Sequence, residues 1–221
     1  MADRRRRAPS VVRALLDAHG TTYAEDAGIR LRDTPQPLYQ LLVLSVLLSA
    51  RIRSTVAVAS ARELFDAGMR DARRMADASW QARVDALGRG GYRRYDERTS
   101  TQLGEGAELV LRDYGGDLRR LRDAAGDDGE LSRQLQKVPG LGPMGADIFL
   151  REVQRVWPAV APRLGDKALQ GARRLGLPDD PAELVRLAGD SDPAALAAAL
   201  VRAALDKGVV EELVGEAADA S

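Results

Sequence analysis

Hydrophobic positions recur at helical spacing almost from end to end of this chain, and no stretch sustains the alternation of a half-buried strand. Residues 38–50 are apolar nearly all round, which predicts a fully buried helix. Amphipathic patterns follow over residues 55–67, with Ser54 or Thr55 as cap, and over 69–76 and 78–87. Gly88-Arg-Gly-Gly91 reads as a turn. A long helix then spans residues 95–114 and stops at Gly115-Gly116. Shorter helices fit residues 118–125, 130–137 and 143–156. Beyond Trp157-Pro158 a proline-interrupted loop leads to helices over 166–175, 181–188, 193–207 and 209–217. Ahead of Leu38, residues 11–19 read as a short helix stopped by Gly20, Arg4 to Arg7 as a solvated basic tail, and 29–37 as a loop. The pattern predicts an all-α protein.

One segment is more than helix and loop. Leu135-Gln-Lys-Val-Pro-Gly-Leu-Gly-Pro-Met-Gly-Ala-Asp-Ile-Phe-Leu150 reads as two amphipathic helices joined by a tight turn at Val138-Pro139-Gly140-Leu141-Gly142. Pro139 and Gly140 end the first helix, because proline lacks the N–H and glycine tolerates positive φ. Gly142 removes a side chain where the second helix begins. Backbone N–H groups are thereby left unpaired at a helix N-terminus, an environment suited to an anionic oxygen. A chain of phosphates is the candidate partner.

Composition narrows the alternatives. The 221 residues suffice for one domain or two small lobes. The formal net charge is zero, which argues against a generic coater of polyanions but leaves room for one local basic face. Of the 33 basic residues only Lys137, Lys167 and Lys207 are lysines, the other 30 being arginine. Zero cysteines exclude disulfides and thiolate-bound zinc or iron–sulfur clusters, and a single histidine argues against a His-rich metal centre. No segment has the roughly 20 apolar residues of a bilayer span, and no hydrophobic signal core precedes the first helix. These features lead us to expect a cytoplasmic protein.

The hairpin segment resembles the helix-hairpin-helix of nucleic-acid-binding proteins, and its flanks resemble the endonuclease III-like branch of base-excision DNA glycosylases. Leu41 to Arg51, LLVLSVLLSAR, looks like the buried helix and turn that open that family's core domain. Gly90-Gly-Tyr-Arg-Arg-Tyr95 looks like the Gly-X-Tyr turn before its long helix, and Trp157-Pro158 like a pair found after its hairpin. The resemblance covers roughly residues 37–178. It implies a central helical bundle over residues 37–150, containing the helix-hairpin-helix at about 130–155, and a second lobe of residues 1–36 plus 151–221. It further implies a monomer that binds double-stranded DNA between two lobes, flips one nucleotide and breaks the bond between base and sugar. Flipping is required physically, since C1′ is inaccessible in a stacked duplex.

Breaking that bond develops positive charge on the sugar, so a nearby carboxylate lowers the barrier and can activate water. The family's aspartate is best matched by Asp166, at the start of a helix, although the intervening loop is slightly longer than the family's. Its other reading is a helix cap. Family members that also cut the strand use a lysine in the second hairpin helix. The matching residue is Met144, which cannot form an imine, so a monofunctional glycosylase is expected. Gly140 and Gly142 are the expected phosphate grip and Lys137 a phosphate contact. Arg51 is either the side chain that fills the gap left by the flipped base or a surface arginine. Tyr92 either lines the pocket or anchors its turn. Asp147 is a reserve carboxylate, and His19, beside Gly20, is expected to satisfy helix-end carbonyls. The family's four cluster cysteines are absent, so the helices of residues 193–213 are expected to pack the second lobe instead. No metal or cofactor is expected beyond a monovalent cation that the hairpin could hold. Two other readings remain: a non-catalytic DNA-binding protein recognising bent or damaged duplex, and an interaction module without a nucleic-acid role.

Overall fold

The computed structural model describes residues 2–219, with side chains described for 7–213. Its regular structure is helical throughout, so the protein is all-α. In chain order the helices are α1 (Ala2–His19), α2 (Tyr23–Asp26), α3 (Pro35–Ser49), α4 (Ser54–Asp66), α5 (Ala72–Asp77), α6 (Trp80–Arg89), α7 (Asp96–Tyr114), α8 (Leu118–Ala124), α9 (Asp128–Leu135), α10 (Pro143–Val153), α11 (Gly165–Arg174), α12 (Pro181–Ala188), α13 (Pro193–Leu205) and α14 (Lys207–Asp219). Among the described residues a single 3₁₀ turn, Pro158–Val160, lies in the loop after α10. Among the described residues no helix is long and apolar enough to cross a membrane.

Several boundaries differ from the sequence pattern, and mostly for one reason. Aspartate and serine caps decide where these helices start. Asp71 accepts the Arg74 N–H at 2.9 Å and begins α5 at Ala72 rather than at residue 69. Ser79 accepts the Ala82 N–H at 3.1 Å and begins α6 at Trp80. Asp127 accepts the Glu130 N–H at 2.7 Å and begins α9 at Asp128. The expected loop of residues 29–37 is cut short, because Pro35 serves as the first residue of α3, where its missing N–H costs nothing. At the N-terminus α1 is a helix from Ala2 and runs through the arginine run, where a tail had been expected. Its buried stripe begins at Ala8 and continues at Val12 and Leu15, one helical face. The side chains of Arg4 to Arg6 lie outside the described residues.

The chain divides into two compact units: Tyr23–Val156, and Met1–Thr22 with Trp157–Ser221. In the first unit α3 is the central helix, buried from Leu41 to Leu47 and packed against α4, α8 and α10. The unit extends beyond residues 37–150 at both ends, and one bond joins those ends: the Ala24 N–H donates to Glu152 Oε2 at 2.9 Å. Arg83 on α6 is a buried structural cation whose guanidinium donates to the carbonyls of Ser100, Met75 and Ala78 at 2.9, 2.9 and 2.7 Å. Burial lowers its pKa and raises that of the Tyr39 phenol on α3.

The second unit is organised on α13, whose alanines and leucines are almost all buried and which packs against α1, α11, α12 and α14. Gly171 of α11 crosses α13 so closely that a β-carbon there would stand 1.8 Å from the Leu200 carbonyl oxygen. At the end of α1 the exposed carbonyls are satisfied by Arg202, which donates to His19 O at 3.0 Å and Thr21 O at 2.5 Å. The expected role of the His19 side chain is therefore filled by an arginine from α13. His19 instead places Nε2 3.4 Å from Glu212 Oε2.

Candidate nucleic-acid interface

The candidate hairpin segment consists of α9, a turn over residues 136–142, and α10. Gly140 adopts φ +84°, the left-handed conformation that turns the chain between the two helices. The Leu141 N–H closes the turn onto Val138 O at 3.0 Å. Pro143 is the first residue of α10 and Gly142 its N-cap, with no side chain to serve as cap. Consequently the N–H groups of Gly140, Gly142, Met144 and Gly145 find no acceptor among the described residues.

The two turn glycines serve different ends. A β-carbon on Gly140 would meet Gln102 Oε1 and Val46 Cγ1, each at 3.1 Å, so this glycine is packed against the unit's interior. Gly142 has an ordinary φ of −71° and nothing within 4 Å of where its β-carbon would stand. Nothing inside the fold requires glycine at position 142.

Beside the turn lies a cavity of about 620 Å³ within the same unit. Three separate stretches of sequence line it. The end of α3 contributes Val46, Ser49 and Arg51, the hairpin contributes residues 136–142, and the start of α7 contributes Tyr95, Arg98, Thr99 and Gln102 alongside Tyr92. Ser49 fastens α3 to the turn, its hydroxyl facing Gly140 O at 3.4 Å while donating to Val46 O at 2.7 Å. Five of the sequence-derived candidates, Arg51, Tyr92, Lys137, Gly140 and Gly142, thus line one cavity.

Their roles separate by burial. Arg51, Arg98 and Lys137 are exposed and have no carboxylate within ion-pair distance among the described residues. Tyr92 is 1% exposed, so its ring belongs to the wall. Its hydroxyl receives the Thr99 hydroxyl at 3.4 Å and its N–H donates to Leu87 O at 3.0 Å, bonds that also anchor the turn. Burial raises the Tyr92 phenol pKa, against a smaller lowering by Thr99. Arg94 stacks over the Tyr95 ring at 5.2 Å. The half-buried Gln102 amide makes no hydrogen bond to the described residues, although it can donate two and accept two.

Arg98, Thr99 and Gln102 escape a motif-based reading, yet with Tyr95 they follow the i, i+3, i+4, i+7 spacing of one helix stripe directly after the Gly-Gly-Tyr turn. That spacing was the available signal. No carboxylate lines the cavity. Met144 is 64% exposed at the start of α10. Asp147 does not line the cavity and sits 3.7 Å from Arg151 on its own helix. Asp166 belongs to the other unit, exposed in the first turn of α11. The cap position there is Leu164, with no side-chain bond, so Asp166 does not cap its helix. No group of three or more His, Cys, Asp or Glu side chains converges to hold a metal among the described residues. The chain matches no known family model and shows no significant similarity to any curated protein.

Proposed function

We propose that this protein is a monofunctional DNA glycosylase of the helix-hairpin-helix, endonuclease III-like kind, hydrolysing the N-glycosidic bond of a base flipped out of duplex DNA. One observation carries the reading: the turn between α9 and α10, with its unpaired N–H groups, borders a cavity that also holds three cations with no carboxylate in ion-pair range among the described residues, two tyrosines and an unpartnered amide. The N–H groups and the cations suit phosphate oxygens. Tyrosine rings and a primary amide suit a planar base with donors and acceptors on its edge.

In this reading the backbone is gripped at Gly140 and Gly142, with Lys137 and Arg51 neutralising neighbouring phosphates. The base enters beside Tyr95 and Gln102. As the C1′–N bond breaks, its electron pair leaves with the base and positive charge builds on the sugar. The reading assigns to Asp166 the carboxylate that stabilises this charge and takes a proton as water bonds to C1′. Met144 provides no amine for a covalent intermediate.

A second reading, a non-catalytic protein that recognises bent or damaged duplex, is favoured by the lack of any carboxylate in the cavity lining. One experiment decides between them. Duplexes carrying uracil, mismatched thymine, oxidised or alkylated bases are incubated with the protein and then treated with alkali. Strand breaks at the lesion, abolished in Asp166→Asn, support the enzyme. Binding without product supports the second reading, and full activity in Asp166→Asn removes Asp166 from the mechanism.

A further inference from the structure

A second cleft in the same unit, of about 860 Å³, is unrelated to the hairpin. It lies at the opposite end of α3, where Thr34, Pro35 and Gln36 line it, and four arginines converge there: Arg30, Arg32, Arg62 and Arg70. The only acidic residue in its lining is Asp66. A chain with 33 basic and 33 acidic residues gives no reason to expect four cations around one acid.

The way these arginines are held matters more than their number. Elsewhere arginines are commonly neutralised by carboxylates, as in Arg89–Glu63 at 2.8 Å, Arg119–Asp117 at 2.7 Å and Arg155–Glu25 at 3.1 Å. In the cleft, Arg62 donates to the Asp26 carbonyl and Arg70 Nε to the Phe65 carbonyl at 2.8 Å. A carbonyl fixes the orientation of a guanidinium without cancelling its charge. The one carboxylate, Asp66, stands 3.6 Å from Arg70 with both side chains largely exposed, a pairing that water screens heavily. Arg30 and Arg32 are exposed, with no carboxylate in ion-pair range among the described residues. Like charges gathered in a concave surface repel, and an anionic occupant removes that repulsion. Guanidinium forks match phosphate oxygens in geometry as well as charge.

We infer that this cleft is a second phosphate-chain site, occupied by successive phosphates of a DNA strand and independent of the hairpin grip. The inference rests on the reading of the protein as a DNA-binding one. A free polyphosphate shares the chemistry, so both sources are tested. The full chain and its Arg30→Gln/Arg32→Gln double variant are titrated with an undamaged duplex at several salt concentrations, and with sodium tripolyphosphate. Arg13→Gln/Arg73→Gln, which removes two exposed charges outside both clefts, is the control.

Each neutralised phosphate contributes roughly 0.9 to the slope of log K against log salt, so the double variant should flatten that slope by about 2 while the control leaves it unchanged. Its affinity at low salt should fall on the order of tenfold or more. An unchanged slope in the double variant, with wild-type protein binding DNA, overturns the cleft and leaves the DNA reading intact. An equal loss in the control overturns it as well. Arginine-dependent binding of tripolyphosphate with no DNA binding keeps the phosphate-chain site and removes the DNA reading. Binding of neither ligand removes both.

Discussion

The α-carbon of Gly140 lies against the side-chain amide of Gln102, so close that a β-carbon would stand 3.1 Å from Oε1. The two residues belong to different stretches of sequence, one at the hairpin turn and one on the long helix α7. Their contact joins the backbone turn to the one unpartnered amide of the cavity. It also separates what the two turn glycines do.

Gly140→Ala and Gly142→Ala should differ in kind. At Gly140 the substitution meets φ +84° and the crowding by Gln102 and Val46, and should cost about 1–2 kcal/mol of stability. At Gly142 neither strain nor crowding applies, so the thermal midpoint should hold while affinity for duplex DNA falls several-fold. Thermal unfolding and DNA titration of both variants check this. A Gly142→Ala protein that binds as well as wild type would remove the close approach at that position.

Gln102→Leu should keep the size of the side chain and lose its donors and acceptors. Binding of undamaged duplex and its salt dependence should stay near wild type. Discrimination between a duplex with an extruded base and one with an abasic gap should shrink by about tenfold, the order of one or two lost hydrogen bonds. Competition titrations read this ratio directly, and a constant ratio would exclude Gln102 as a base contact.

Gly171→Ala should be the most damaging small substitution of the second unit. Its β-carbon has no room beside the Leu200 carbonyl, and separating α11 from α13 should cost about 3 kcal/mol or more. Asp166→Asn, exposed on the same helix, should leave stability within about 0.5 kcal/mol. Chemical denaturation separates the two. Equal stability of Gly171→Ala and wild type would contradict the close crossing.

Asp117 caps α8, accepting the Arg119 N–H at 3.0 Å, and pairs with the Arg119 guanidinium at 2.7 Å. The hydrogen bonds from Arg119 hold its pKa below the ordinary carboxylate value, against a smaller raising by burial. A depressed folded-state pKa stabilises the protein above the unfolded value, about 3.9, and that contribution fades as pH falls through the folded value. Asp117→Asn keeps a capping oxygen but loses the charge that pairs with Arg119, which is over a third exposed, so it should cost under about 1 kcal/mol at neutral pH. Wild type and variant should converge in stability under strongly acidic conditions, which urea denaturation across pH 2–7 would measure. A gap that persists below the folded-state pKa would assign the loss to packing instead.

Much of this fold was legible in the sequence, because helical periodicity and glycine or proline stops are local properties. The apolar run over residues 41–47 became the buried centre of α3, and Gly115 ended α7 with φ +62°. The turn between α9 and α10 was equally local: Pro139, Gly140 and Gly142 favour a turn with unpaired N–H groups. Helix starts were harder to read, since Asp71, Ser79 and Asp127 could each have been an ordinary polar residue until the N–H they accept was in place.

The sequence by itself determined an all-α chain, its turn chemistry and the absence of any thiolate. Only the tertiary structure decided which residues meet. It brought Arg51, Tyr92, Gln102 and Gly140 around one cavity from three stretches of chain, left carboxylates out of that cavity, and gathered Arg30, Arg32, Arg62 and Arg70 in another. The reason is physical. Periodicity records which face of each helix is apolar, but which polar side chains converge depends on how those faces pack, and packing is set by contacts between residues far apart in sequence.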